Sequence, residues 1–247
     1  TAFEEIGADI IRYNFVATPL INDVKFGRAT CDEVKRKILG LWNAYVFLNT
    51  YACIDNPDLT NFTPNESELT FIDKWLINRV NEFTANAHEC YSHQDFGGVS
   101  KDFENLVDEL TNWYIRNNRR RFYKSENNLD TMNAYFCLHY AIKNISMAMF
   151  PIIPFLSEYL WQNAVRPLDN NAEESVALHG FKVAEFKVNG EGLTKKTDII
   201  RNIFTMASKL RNENQIKVKQ PLKTMFVNGN DEVAKAVELY RDIIESE

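Results

Sequence analysis

The stretch LDTMNAYFCLHYAIKNISMAM, residues 129–149, constrains the fold of this chain most. Ala134, Leu138, Ala141, Ile145 and Ala148 recur at alternating steps of four and three, the period of an α-helix. Most of the remaining faces are apolar too. A helix that is apolar nearly all round must be enclosed by other elements, so this one is expected at the centre of a helical fold.

The elements that would enclose it show the same period. Val34, Ile38, Leu41, Tyr45, Leu48 and Ala52 form one stripe, with Thr30 and Glu33 expected to make a capping box at its start. Leu69, Ile72, Leu76, Val80, Phe83 and Ala87 form a second, and Gly97-Gly98 is expected to break the chain after it. Phe103, Leu106, Leu110 and Trp113 form a third. Pro151 ends the central helix and Pro154 opens a short one through Trp161. The expectation is mainly α: an antiparallel helix bundle with a small C-terminal α/β appendage. The appendage holds a helix with Ile200, Ile203, Phe204, Ala207 and Leu210 on one face, and a last helix over 232–244. Between them Ile216, Lys217, Val218 and Lys219 alternate at period two, which predicts a strand pair over about 216–227 with Pro221 at an edge or bulge.

Most site chemistries are excluded by spacing. HECYSH (88–93) has one residue too many for a His-Glu-x-x-His zinc site, because positions i and i+5 lie about 140° apart on a helix. No glutamate has a histidine three residues later, as a di-iron bundle needs. FGGV lacks the spacing and lysine of a phosphate loop. His139, inside the apolar helix, is expected to be a satisfied core histidine. The four scattered cysteines fit a reducing setting better than a disulfide framework. The longest apolar run, MAMFPIIPFL, is too short for a bilayer.

One local feature contradicts the overall charge. The chain carries a formal charge of −6, yet TNWYIRNNRRRFYK (111–124) gathers Arg116, Arg119, Arg120, Arg121 and Lys124 with no acid among them. On a wheel centred on Trp113, Asn117, Arg120 and Arg121 fall near the apolar stripe. Arginines there either cap the helix and pair with neighbouring acids, or form a surface whose forks grip phosphates while aromatics stack bases. Composition leaves both open. A second cluster, KLRNENQIKVKQPLK (209–223), holds five cations against one acid; solvated edge lysines are the bland account of it.

LTNWYIRNNRRRF (110–122) closely resembles a signature of isoleucyl-tRNA synthetases, in the class I group that includes the valyl and leucyl enzymes. GADIIRYNFVATP, LWNAYVFLNTYA, FPIIPFLSEYLW and LRNENQIKVKQPL resemble further segments of that family, in family order along nearly the whole chain. The His-Ile-Gly-His and Lys-Met-Ser-Lys-Ser active-site segments and the editing domain are absent. TMASKL is only superficially similar to the second and lies in a helix stripe. Lys219 stands where the family commonly has arginine, keeping the charge without the fork.

The resemblance implies the anticodon-binding part of a longer enzyme. Residues 1–30 would end the connection to a catalytic core, 31–167 would form the helical anticodon-binding domain, and 168–247 a C-terminal α/β junction. The parent would use ATP and Mg²⁺ to attach isoleucine to its tRNA. This segment would hold the anticodon stem-loop, need no cofactor or metal and catalyse nothing alone. Asn43 and Trp113 are the expected base-readers, with Asn117 beside them. Arg116, Arg119, Arg120, Arg121 and Lys124 are the expected phosphate contacts, and Lys209, Arg211, Lys217 and Lys219 belong to the second cluster. Isoleucine tRNA and the catalytic core of the same polypeptide are the expected partners of a cytoplasmic monomer. A helical protein-interaction scaffold that never touches RNA, or the equivalent domain of a valyl-type enzyme, are the alternatives.

Overall fold

A computed structural model of the chain describes residues 2–18, 24–123, 128–183, 185–190, 192–217 and 220–246. Two short helices, α1 (Ala2–Ile6) and α2 (Ala8–Val16), precede the bundle. The bundle itself is α3 (Arg28–Asp55), α4 (Phe71–Ser92), a long helix running from α5 (Phe96–Asp108) through a π-helical segment (Glu109–Ile115) into α6 (Arg116–Tyr123), and α7 (Asn128–Met149). Consecutive helices alternate in direction. Tyr140 Oη donates to Asn81 Oδ1 and Tyr91 Oη to the Ala148 carbonyl, so α4 and α7 run side by side in the same sense. The ring contacts Phe47–Phe122 and Tyr51–Tyr123 place α3 and α6 likewise.

The three stripes and the central helix are buried as expected, and α7 is enclosed on nearly all sides from Asn133 to Met149. Two helix starts differ from expectation. α3 begins at Arg28, so Thr30 sits in its first turn. Its hydroxyl accepts the Gly27 N–H at 3.1 Å and donates to the Gly27 carbonyl at 2.8 Å, leaving Glu33 out of the cap. Gly97 and Gly98 do not break the chain but lie in the first turn of α5. The break is at 93–95, where Asp95 caps the new helix by accepting the Gly98 N–H at 2.9 Å. A Cβ at Gly98 would lie 2.4 Å from the Asp95 carboxylate, so glycine here serves the cap.

Pro154 opens α8 (Pro154–Leu160), which continues into a second π-helical segment (Trp161–Val165). The carboxylate of Asp9 on α2 accepts the Phe155 and Leu156 N–H groups at 3.3 and 2.6 Å. Residues 166–188, with α9 (Val176–His179), are strapped to the bundle. Trp161 Nε1 donates to the Glu173 carbonyl at 2.8 Å, Glu158 accepts Ser175 Oγ and the Val176 N–H, and Asn81 Nδ2 donates to the Phe186 carbonyl. Contacts therefore group residues 1–188 as one compact unit and 189–247 as another.

The second unit contains α10 (Leu193–Glu213), α11 (Asp231–Leu239) and α12 (Arg241–Ser246) around Leu193, Ile200, Ile203, Ala236 and Tyr240. The expected strand pair is not formed among the described residues; Val218 and Lys219 lie outside them. Residues 221–230 are irregular, with Phe226 93 % exposed. Alternation supplies one amphipathic face, but a ladder needs a second strand, and no other described segment of the unit is one.

Candidate nucleic-acid interface

The arginine segment owes its geometry to the turn before it. In the π-helical segment 109–115 the bonding widens from i→i+4 to i→i+5, so each residue advances by less than 100°. The accumulated lag rotates α6 against an ideal wheel. Arg121 swings into the apolar stripe and Arg120 swings out to solvent. Asn117 Nδ2 donates to the Trp113 carbonyl at 2.7 Å and Asn118 Nδ2 to the Tyr114 carbonyl at 2.8 Å, side-chain donors supplied to this segment's backbone.

Arg121 lies inside a network that joins three helix ends. Its Nη1 is 2.7 Å from Asp73 Oδ1 and its Nη2 is 2.8 Å from Asp130 Oδ1. Asp73, fully buried, also accepts Tyr114 Oη at 2.7 Å and Thr70 Oγ1 at 2.7 Å. Burial alone would raise the Asp73 pKa. The Arg121 charge and the hydrogen bonds from Arg121, Thr70 and Tyr114 outweigh it and hold the carboxyl below its ordinary value. The network fastens the start of α4, the end of α6 and the start of α7. A second buried arginine, Arg79, pairs with Asp102 at 2.6 Å and Glu109 at 2.7 Å, anchoring the π-helical segment itself.

Two of the expected contact residues lie away from the open face. Arg121 directs its guanidinium to Asp73 and Asp130 and is not on the open face. Trp113 is 6 % exposed, so its ring packs in the core. Asn117, half-buried, turns its amide to its own helix. Arg116, Arg119 and Arg120 are solvent-exposed on one helix end, and Asn43 is exposed on α3. Lys124 lies outside the described residues.

The aromatic rings beside these arginines come from α3 and the end of α6. Arg119 Cζ lies 5.7 Å from the centre of the Phe47 ring, within cation–π range. Phe47 meets Phe122 edge-on at 5.0 Å, and Tyr51 stacks on Tyr123 at 6.2 Å with 25° between planes. Tyr123 is 50 % exposed. Phe47, Tyr51 and Tyr123 are not among the residues expected from the sequence. The available signal was the i, i+4 spacing of Phe47 and Tyr51, one aromatic face on α3.

The second basic cluster is in the other unit. Lys209 is exposed, with Nζ 3.9 Å from Glu213 Oε1. Arg211 folds back, its Nη1 donating to the Gln220 carbonyl at 2.8 Å and the Lys217 carbonyl at 3.3 Å. Lys217 is exposed and Lys219 lies outside the described residues.

His139 is buried in α7 with Nε2 donating to the Val165 carbonyl at 3.2 Å. Burial pushes its pKa down to about 4, so it is neutral in the fold. His93 ends α4. Among the described residues no group of three or more His, Cys, Asp or Glu side chains is arranged to hold a metal ion. No helix among them is long and apolar enough to cross a membrane.

Residues 73–226 match the family model described as the anticodon-binding domain of tRNA ligase. The chain is 35 % identical over 233 residues to an isoleucine–tRNA ligase of Dehalococcoides mccartyi, covering 92 % of this chain and 22 % of that one. It is 36 % identical over 230 residues to the Thermus thermophilus isoleucine–tRNA ligase, covering 91 % and 22 %. The Clostridium tetani isoleucine–tRNA ligase is 31 % identical over 247 residues, covering 99 % and 23 %. The chain thus spans less than a quarter of the length of these relatives.

Proposed function

Because the chain belongs to the family of anticodon-binding domains of tRNA ligases, we propose that it holds the anticodon stem-loop of an isoleucine tRNA as part of a longer isoleucine–tRNA ligase. The parent activity, attachment of isoleucine using ATP and Mg²⁺, would reside in parts of the polypeptide outside residues 1–247. The catalytic core would be this unit's partner in a cytoplasmic monomer. The names of the relatives support the amino acid assigned.

The observation that carries the reading is the Arg119–Phe47 contact beside the Tyr51–Tyr123 ring pair, with Arg120 exposed on the same helix end, which the Asp73–Arg121 network fixes. Cations grip the phosphates of a loop while its unstacked bases lie on aromatic faces. A small patch suffices for a loop, and the negative charge elsewhere opposes indiscriminate polyanion binding.

The test replaces Arg119 and Arg120 together with glutamine and titrates isoleucine tRNA at several salt concentrations. Affinity falls, and the log–log salt slope flattens by roughly 0.7–0.9 per lost phosphate contact. Unchanged affinity and slope would place the RNA elsewhere. The chain alone is expected to support no isoleucine-dependent pyrophosphate exchange; exchange above a buffer blank would overturn that assignment.

A further inference from the structure

The open face of α6 has a regular spacing. Arg116, Arg119, Arg120 and Tyr123, at steps i, i+3, i+4 and i+7, are exposed, while Asn118 and Phe122 are buried and Arg121 is turned inward to Asp73. Arg120 owes its place on that face to the π-helical segment before it. We propose that Arg79 and Glu109, both 8 % exposed, are positioning residues for RNA binding: their ion pair holds the π-helical segment and so puts Arg120 on the open face. The inference rests on the reading of the arginine face as an RNA surface and adds to it the groups that decide which arginine is presented.

A helical wheel shows what the segment changes. Phe103, Leu106 and Leu110 define the buried stripe that leads into it. Carried on at 100° per residue, that stripe would run through Asn117 and Arg121, bring Arg120 within about 75° of its centre and turn Phe122 about 125° away. In the structure Phe122 is 4 % exposed, edge-on to Phe47 at 5.0 Å and to Tyr135 at 5.1 Å, and Arg120 is outside. The widened bonding thus exchanges Arg120 for Phe122. Arg119 lies about 175° from the stripe centre on the plain wheel and stays outside under either geometry.

A run of i→i+5 bonding is rare and has to be held in place. Here it is held at both ends. Beyond its far end Arg121 pairs with Asp73 and Asp130. At its near end Glu109, the first residue of the segment, accepts Arg79 Nε at 2.7 Å, and Arg79 Nη2 donates to Asp102 Oδ1 at 2.6 Å. Asn86 Nδ2 fixes Asp102 in turn at 2.9 Å. Burial alone would lower the Arg79 pKa; the charges of Glu109 and Asp102 outweigh it and hold the pKa above its ordinary value. Arg79 is therefore a charged, forked tie from α4 to the residue at which the helix widens. Thr111, Asn117 and Asn118 also bond carbonyls four residues back, at 2.7–2.8 Å. Those bonds satisfy the helix's own backbone and do not fix its rotation against the bundle. The tie to α4 does.

The experiment titrates isoleucine tRNA at several salt concentrations with the 247-residue chain and with Glu109→Gln, Arg120→Gln, Arg119→Gln and their combinations. Arg120→Gln alone weakens binding roughly tenfold and flattens the log–log salt slope by roughly 0.7–0.9. Glu109→Gln keeps the size of a buried group and removes its charge; it produces a loss and a flattening of the same size. Arg120→Gln then adds nothing in the Glu109→Gln background, whereas Arg119→Gln keeps its full effect in both. A mere loss of folded protein would lower the apparent affinity at an unchanged slope and leave the two substitutions additive. Additivity, or an unchanged slope in Glu109→Gln, overturns the positioning role while leaving the RNA reading intact. Arg79→Lys is the second variant, should Glu109→Gln fail to fold. It keeps a cation beside both carboxylates, loses the fork and flattens the slope in the same direction; an unchanged slope there also overturns the positioning role. A parent chain that binds no tRNA, or an Arg119→Gln, Arg120→Gln pair that binds as the parent does, overturns both.

Discussion

The two basic clusters, residues 116–121 and 209–223, look alike as sequence and stand on different foundations. The first lies in a unit that buries its charges. Arg121 and Arg79 each bridge two carboxylates, and the pairs tie the ends of three helices and the π-helical segment together. The second lies in a unit whose ion pairs among the described residues are at the surface, such as Lys209–Glu213 with both side chains more than half exposed. Its core rests on a few residues of α10 and α11 with Tyr240. Cation density therefore does not define a contact surface. A surface binds well when its groups are held in place beforehand, so that little ordering remains at the moment of binding. Arg119 and Arg120 meet that condition because Arg121, one residue further on, does not face solvent.

Breaking the foundation has the largest expected effect. Asp73→Asn leaves Arg121 with Asp130 as its one remaining carboxylate and should destabilise the first unit by about 3 kcal/mol at neutral pH. The folded pKa of Asp73 is lowered, so its contribution is complete above the ordinary carboxylate value and is lost as pH falls through the depressed folded value. Urea midpoints of parent and variant should therefore stay apart at pH 7 and at pH 5 and converge only in stronger acid. Convergence already at pH 5 would show that the carboxylate is not the group that matters. Glu213→Gln, the matching change under the second cluster, should move stability by about 0.5 kcal/mol or less.

The next largest effect separates the units by pH. All four histidines lie in residues 1–188. As pH falls through about 6.5 the unfolded chain protonates His139, while the folded chain does not until about 4. For a base with a lowered folded pKa, stability is full above the unfolded value and declines between the two. The difference of about 2.5 units corresponds to roughly 3 kcal/mol. Hydrogen exchange should report weakened protection in α7 between pH 6.5 and 4.5, with no counterpart in α10. His139→Gln should remove that pH dependence whatever its cost at neutral pH. A variant that keeps the same decline assigns it to another group.

The helices were legible because burial repeats at the helical period. Val34 through Ala52 and Ala134 through Ala148 announce their faces, and Pro154 announces a start. The candidate site was legible only as a composition. No residue signature marks i→i+5 bonding, so the wheel that assumed 100° per residue puts Trp113 and Arg120 on one face; it also puts Arg121 on the core stripe, where a buried ion pair is the alternative to a phosphate contact. The structure has Arg120 outside and Arg121 in contact with a buried carboxylate. Asp73, the partner that decides this, stands 48 residues earlier at a helix start, where it reads as an ordinary first-turn acid. The strand expected over 216–227 failed for a related reason. Alternation describes one face of a segment and says nothing of whether a second segment lies beside it.

The smallest effect tests how finely balanced the second unit is. α11 is only nine residues long, too short to persist without packing and capping. Asn230 is its N-cap, with Oδ1 accepting the Val233 N–H at 3.1 Å. The helix packs on α10 through the buried Ala236, and Tyr240 directly after it hydrogen-bonds Thr197. Asn230→Ala removes the acceptor and should cost about 1 kcal/mol, whereas Asn230→Gly, which lets water reach the same N–H groups, should cost only a few tenths. In a unit with so small a core, that difference should appear as faster amide exchange in α11, with exchange in α4 and α7 unchanged. Equal losses for alanine and glycine would mean that Asn230 acts through the loop before the helix rather than as its cap. Altered exchange in α7 would mean that the two units share one cooperative transition.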